Sequence, residues 1–504
     1  MPIIIFGMLA TVYTRSSFGI EAPLVRVEVH LSLGMPSLSI VGLPETAVKE
    51  SKDRVRSALI NAQFFFPTRR ITINLAPADL PKREGGRFDL PIALGILAAS
   101  GQIPVDILQE FEFAGELALD GSLRGFSGVL PFALAARNSK RKLIIPYDNA
   151  DEATLPENAA VFPARHLLAV CAHLKGEEQL ERYQVAARAI APQYDVDLVD
   201  VRGQEYVKRA LEIAAAGKHS VLMSGLPGAG KTMLALRLPG ILPLMTENEA
   251  LEVAAINSIC ERKIDCNLWR LRPFRAPHHT ASSVALVGGS SPPRPGEISL
   301  AHRGVLFLDE LPEFNRGVLE ALREPLESGV VTISRAAQQA CFPANFQLIA
   351  AMNPCPCGYL GDARSNCNCT SEQVQRYQAR ISGPLLDRID MHIVVQALSP
   401  QDLVKEQSGE TSEAVRARVT QARLLQLARN NKLNAELTGR EIEKVCRLGI
   451  AERKYLENAM IRLKCSARAY HRILKVARTI ADLQASAVIT VEHLAEALRY
   501  RKKQ

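Results

Sequence analysis

Gly225-Leu226-Pro227-Gly228-Ala229-Gly230-Lys231-Thr232 is a phosphate-binding loop by residue type and spacing. Its glycines let consecutive backbone N–H groups turn toward one phosphate, and the start of the following helix adds its positive end. Lys231 reaches the β- and γ-phosphates of a nucleoside triphosphate, and Thr232 offers its hydroxyl to Mg²⁺. Such a loop needs a second strand that ends in acids. The run Gly304-Val305-Leu306-Phe307-Leu308-Asp309-Glu310 supplies one. Asp309 is the candidate to act on the metal, and Glu310 is the candidate to orient or deprotonate the attacking water. ATP with Mg²⁺ is therefore the expected chemistry.

A second constellation is made of thiols. Of ten cysteines, Cys171, Cys260, Cys266, Cys341, Cys446 and Cys465 are scattered, without a disulfide-like framework. The other four form Cys355-Pro356-Cys357 and Cys367-Asn368-Cys369, separated by a loop containing Gly358 and Gly361. Two such pairs folded together put four thiolates in tetrahedral reach, the chemistry of a structural Zn²⁺ site, with a redox pair or chance clustering as the alternatives. The adjacent His278 and His279 have no third ligand near them in sequence, which favours a structural or phosphate-contact role over metal binding.

The elements that must position these groups follow from periodicity. Residues 1–171 alternate β-rich runs, such as 37–41 and 70–75, with helical stretches, such as 48–62 and 90–100, and read as an α/β domain. A charged segment over 172–199, broken by Pro192, reads as a linker. A second α/β domain is expected over 200–397. Helical spacing then dominates 398–504, with helices predicted at 414–430, 439–448, 451–464, 467–485 and 491–503. The apolar residues 1–10 lack a basic leader and are too few to span a bilayer, so they read as a first buried strand, and 90–99 as a core helix. The expected location is cytoplasmic, with no membrane partner.

With 504 residues, 47% hydrophobic and 23% charged, the chain has an ordinary soluble multidomain composition, and its net charge of +8 favours a polyanionic partner. Aromatic residues are only 5%, with one Trp at 269, which argues against a stacking platform for single strands.

The order of these motifs resembles the AAA+ ATPases, and within them the magnesium-chelatase-like group. Ala350-Ala351-Met352-Asn353-Pro354 resembles sensor 1, which implies that Asn353 contacts the γ-phosphate or the lytic water. Ser382-Gly383-Pro384-Leu385-Leu386-Asp387-Arg388 resembles the finger motif, which implies that Arg388 acts on the ATP of a neighbouring subunit. Ser466-Ala467-Arg468-Ala469-Tyr470-His471-Arg472 resembles sensor 2, with Arg468 as the better candidate and Arg472 as the alternative. A guanidinium in these places would stabilise charge on the transferring phosphoryl group. A finger acting in trans implies a ring, and the family implies a homo-hexamer.

The N-terminal runs Gly42-Leu43-Pro44-Glu45, Gly86-Arg87-Phe88-Asp89 and Gly115-Glu116-Leu117-Ala118 look like the Lon-protease-type fold. Arg87 falls where that family carries its Ser nucleophile, and Arg124 where it carries its Lys, so a scaffold without peptidase activity is implied. A Lon-like domain, a chelatase-type AAA+ core, a helical lid and the CPC…CNC insertion together resemble the bacterial YifB/ComM family. That resemblance implies a hexameric helicase on branched or duplex DNA that promotes branch migration while incoming DNA recombines in natural transformation, with recombination proteins as partners. A magnesium-chelatase-type or protein-remodelling ATPase is the rival reading. Two segments match the helix-2 insert and pre-sensor-1 hairpin of the chelatase-like group: 272–295, carrying Arg275 and Arg294, and 329–336, carrying Arg335. Both would meet DNA through its phosphates, without reading bases.

Overall fold

A computed structural model of the chain describes residues 9–17, 20–42, 46–78, 80, 82, 86–184, 194–260, 265, 268–289, 293–335, 338–362, 366–397, 409–463 and 466–501. The chain divides into two compact units. The first comprises Met1–Ile190 together with Glu247–Trp269, and the second Ala191–Thr246 together with Arg270–Gln504. Residues 247–269, read from sequence as part of the ATPase core, thus cluster with the N-terminal unit.

The first unit is built on seven strands: β1 (Leu9–Arg15), β2 (Leu24–Ser32), β3 (Ser37–Val41), β4 (Arg70–Ala76), β5 (Phe111–Phe113), β6 (Lys142–Pro146) and β7 (Val161–Ala164). They lie in the order β3-β4-β2-β1-β5-β6-β7. The pairs β1/β2 and β2/β4 are antiparallel and the others parallel. Most of the first strand expected over 1–10 lies outside the described residues. Helices α1 (Thr46–Asn61), α2 (Asp89–Ala99), α3 (Val129–Asn138) and α4 (Leu167–Lys175) complete the unit. Every residue of α2 is buried, including Asp89, whose carboxylate accepts two hydrogen bonds from Arg54, at 2.8 and 3.2 Å. Helix α4 runs to Lys175, past the boundary expected at 171. Arg87 is buried, donating to Ser17 Oγ at 2.8 Å and to the Ser127 carbonyl at 2.6 Å, whereas Arg124 is exposed and 3.8 Å from Glu116. The helix Glu247–Ile259 adds Leu251 and Ala254, which pack with Leu130 of α3.

In the second unit a five-stranded parallel sheet carries the motifs. Its strands are β8 (Val221–Gly225), β9 (Phe274–Arg275) and β10 (Val305–Leu308), then, after a hairpin of β11 (Val330–Arg335) and β12 (Gln338–Pro343), β13 (Gln347–Met352) and β14 (Met391–Val395). The sheet order is β9-β10-β13-β8-β14. Its central strands β10 and β13 are buried along their whole length, as a parallel sheet covered on both faces demands. Helix α5 (Glu205–Gly217) precedes β8, and α6 (Lys231–Ile241) follows the phosphate loop. Beyond residue 409 the described chain is helical: α7 (Ser412–Asn430), α8 (Gly439–Val445), α9 (Ile450–Leu463), α10 (Ala467–Leu483) and α11 (Val491–Arg499). Thr411 and Ser466 cap α7 and α10 by accepting from Ala414 N and Ala469 N. Ile473, Leu474, Ala477 and Ile480 form the apolar stripe by which α10 joins the core of the sheet. Among the described residues, no helix is long and apolar enough to cross a membrane.

Candidate functional site

The phosphate loop leaves the C-terminal end of β8, an inner strand of the sheet, at the edge where parallel α/β folds bind ligands. Gly228 and Gly230 have φ of +75° and +87°, conformations that a side chain would strain. Gly225 ends the strand so close to β14 that a Cβ there would lie 2.4 Å from the Val395 carbonyl oxygen. The Lys231 ammonium uses its three protons on the Gly225 carbonyl (2.7 Å), the Leu226 carbonyl (2.9 Å) and Asn353 Oδ1 (3.0 Å). Burial lowers the pKa of Lys231, opposed by the nearby Asp309 and Glu310. Thr232 Oγ1 donates to Asp309 Oδ2 at 2.6 Å, which brings together the hydroxyl and carboxylate expected to share Mg²⁺. Lys231, Asn353, Thr232 and the acidic strand end therefore converge. Their donors and acceptors fit a triphosphate with its metal.

Glu310 stands at φ +52°, an uncommon conformation for a glutamate and one that surrounding contacts must enforce. Its backbone N–H donates to Asp309 Oδ1 at 2.9 Å, and one of its carboxylate oxygens lies 3.0 Å from His279 Nδ1. The ring of His279 lies against His278, centroids 4.1 Å apart, and edge-on to Phe314. His279 thus meets the candidate base. Sequence reading missed this because the two residues are far apart in the chain and only the parallel pairing of β9 with β10 aligns them.

The arginines stand elsewhere. Arg388 precedes β14, and its carbonyl accepts from Ser220 Oγ at 3.1 Å, at the N-terminal end of β8. With Val221 opposite Met391 and Gly225 opposite Val395, the backbone of Arg388 is separated from the phosphate loop by five residues of strand, about 16 Å. Its guanidinium is held 2.6 Å from Glu327 and donates to the Pro384 carbonyl at 2.8 Å. It lines a cavity of ≈ 570 Å³ together with Lys218, Arg472 and Lys475. Arg472 donates to the Arg388 carbonyl at 2.8 Å and is ion-paired with the buried Asp390. Arg468, in the first turn of α10, is exposed and lines a smaller cavity with Arg388 and Arg472. Both sensor-2 candidates therefore share the end of the sheet where Arg388 stands, away from the chain's own phosphate loop.

Beside the nucleotide site, the Sγ atoms of Cys355, Cys357, Cys367 and Cys369 all lie within 4.8 Å of one another. Separations of 3.4, 3.7 and 3.5 Å among the first three approach the roughly 3.8 Å edge of a tetrahedron with 2.3 Å zinc–sulfur bonds. The backbone hydrogen bond from Tyr359 helps bring the Cys357 thiol down to about 6. The four thiols fit Zn²⁺ in donor type and number.

The description "Magnesium chelatase, subunit ChlI" matches residues 197–403, its C-terminal counterpart matches 409–501, and "Subunit ChlI of Mg-chelatase" matches 27–149. The Competence protein ComM of Haemophilus influenzae is 54% identical, covering 98% of this chain and 97% of its own. YifB of Escherichia coli is 52% identical with the same coverages. The chain belongs to the YifB/ComM family. The 67 kDa magnesium-chelatase subunit of Heliobacterium mobile is 29% identical over 32% of this chain and 29% of its own.

The core of this YifB/ComM chain is a magnesium-chelatase-like AAA+ module. Of its candidate DNA residues, Arg275 lies on edge strand β9 and is bonded by two hydrogen bonds, 2.6 and 2.7 Å, to Glu297. Arg294 is exposed on a two-residue strand paired with Gly288–Gly289. Arg335 closes β11, and its side chain lies outside the described residues.

Proposed function

We propose that this chain is a subunit of a hexameric, ATP-driven helicase that encloses DNA and promotes branch migration as incoming DNA recombines during natural transformation. The observation that carries the reading is the division of the catalytic groups between the two ends of one sheet. Lys231, Thr232, Asp309, Glu310 and Asn353 converge at the C-terminal end, while Arg388 and Arg468 stand at the other. A phosphoryl-transfer site needs the charge of an arginine as well as the loop and the base. In this arrangement a neighbouring subunit supplies it, and a closed ring gives every loop a partner.

In each such site, Lys231 holds phosphate charge, Thr232 and Asp309 hold Mg²⁺, and Glu310 receives a proton from the attacking water. Asn353, bonded to Lys231, contacts the γ-phosphate or the lytic water. The DNA assignment is supported by the near full-length similarity to a competence protein and by the net charge of +8. Arg294 and, on the β11–β12 hairpin, Arg335 at the end of β11 would face the nucleic acid and hold its phosphates. The alternative of a metal-chelatase motor is favoured by the family descriptions themselves. It is weakened by a magnesium-chelatase relative that spans only 32% of this chain.

The deciding experiment is strand exchange on a labelled three- or four-strand junction with ATP and Mg²⁺, comparing the native protein with Lys231→Ala. Product formed by the native protein and lost in the variant supports the motor. If junctions neither move nor accelerate ATP hydrolysis, the reading is wrong and a protein or metal-insertion substrate takes its place.

A further inference from the structure

The four-cysteine cluster is built into the wall of the phosphate loop. Gly358, next to Cys357, has φ +88° and is buried. A Cβ at that position would lie 2.5 Å from Pro227 Cγ and 3.9 Å from Asn353 Cγ. Pro227 is the third residue of the phosphate loop, and Asn353 receives the Lys231 ammonium. The loop's other side is open, since a Cβ at Gly228 or Gly230 would meet nothing within 4 Å. Cys355, two residues after Asn353, is fully buried, and Gln378 Nε2 pins the intervening Pro354 carbonyl at 3.1 Å. The cysteine loop thus touches both groups that set the position of Lys231: the loop behind it and the asparagine in front.

From this packing we infer that a Zn²⁺ held by Cys355, Cys357, Cys367 and Cys369 braces the phosphate loop, so that metal binding and nucleotide binding strengthen each other. A glycine-rich loop has many conformations of its own, and fixing it before ligand arrives removes that entropy from the binding step. Without a metal no coordinate bond joins the four cysteines, and the loop that carries them is no longer held in its packing against Pro227. The inference rests on the reading of 225–232 as a nucleotide site. Linkage makes it reciprocal: if the metal tightens nucleotide binding by some factor, nucleotide tightens metal binding by the same factor.

The test uses the full chain, Zn²⁺ and a fluorescent ADP. Zinc content is read by a colorimetric chelator after thiol release, and ADP affinity by titration of the loaded, stripped and zinc-restored protein. One zinc per chain is expected, with ADP affinity falling about five- to a hundredfold on stripping and returning on restoration. Gly358→Ala separates the two roles, because it keeps all four thiols but drives a methyl group into Pro227. It should retain its zinc and lose ADP affinity, with the far-ultraviolet spectrum confirming a folded chain. If zinc binds while ADP affinity is equal in loaded and stripped protein, the brace is refuted and the metal site stands. If no zinc is found or taken up, the metal assignment fails. If even the zinc-loaded native chain ignores ADP, the nucleotide reading itself is at fault.

Discussion

Mixing two inactive variants tests the division of the site most directly. Lys231→Ala removes the ammonium that bonds Gly225, Leu226 and Asn353, and Arg388→Ala removes the guanidinium at the opposite end of the sheet. Each variant alone should lose ATP turnover, the arginine change by roughly 10³-fold or more if it is a finger. The two ends are separated by about 16 Å of strand, so neither variant can repair itself. In a mixed ring, an Arg388→Ala subunit still offers an intact loop, and a Lys231→Ala neighbour still offers an intact arginine. With random equimolar assembly, about one interface in four pairs the intact loop with the intact arginine, so turnover should return to roughly a quarter of the native rate. The assay is steady-state phosphate release across a series of mixing ratios, with a maximum near equimolar. Mixtures no more active than the sum of their parts, in samples shown by mass to contain mixed rings, would refute the trans arrangement.

Other perturbations bear on single contacts. His279→Ala takes away a hydrogen bond to a charged group, worth about 1.5 kcal/mol, and should lower kcat about tenfold without moving nucleotide affinity; an unchanged kcat would show that His279 does not position Glu310. Glu327 is largely exposed, so Glu327→Gln should cost at most about 1 kcal/mol of stability yet raise basal turnover by freeing Arg388; a fall in turnover would mean that the ion pair positions the arginine for catalysis. Asp390→Asn leaves Arg472 without its buried partner and should cost about 3 kcal/mol, read as a lowered thermal midpoint. Burial pushes the Asp390 carboxyl up, but the Arg472 guanidinium and His219 pull it well below the usual range. Its folded value lies below its unfolded one, so its contribution is complete above about pH 4 and is lost as the pH falls further. Native protein should therefore lose stability on that acid limb more steeply than the variant, and equal slopes would contradict the assignment.

The local parts of the site were legible because each announces itself in a short run. The strand, glycines and lysine of 220–232 needed no tertiary information, nor did the apolar run ending in Asp309 and Glu310, whereas Asn353 followed from the resemblance of 350–354 to sensor 1. Helices α7 and α10 start within a few residues of their predicted bounds, because Thr411 and Ser466 are recognisable N-caps. What stayed hidden depends on sheet order. Nothing in the spacing of His279 and Glu310 says that β9 lies beside β10, or that Gly358 is a glycine because Pro227 fills the place of its side chain. Arg275 illustrates the same limit, since an arginine in a polar stretch reads as available until Glu297, twenty-two residues on, is seen to hold it.

The arginine end of the sheet is as constrained as the nucleotide end. Asp390 accepts from the Ser220 N–H and lies between Arg472 and His219, while Arg472 also holds the Arg388 carbonyl. The backbone that carries Arg388 is therefore fixed to the strand that carries the phosphate loop, through one buried carboxylate. Strands β8 and β14 run in register over their whole length, and a packed parallel pair does not shear easily. The two half-sites of one chain must then move as one body. In the proposed ring, the distance that changes through a hydrolysis cycle is the one between an arginine and the loop of the next subunit. Tightening at one interface displaces both ends of a subunit together and alters the geometry at the next. A proposed ring built this way would pass its state from subunit to subunit through rigid sheets.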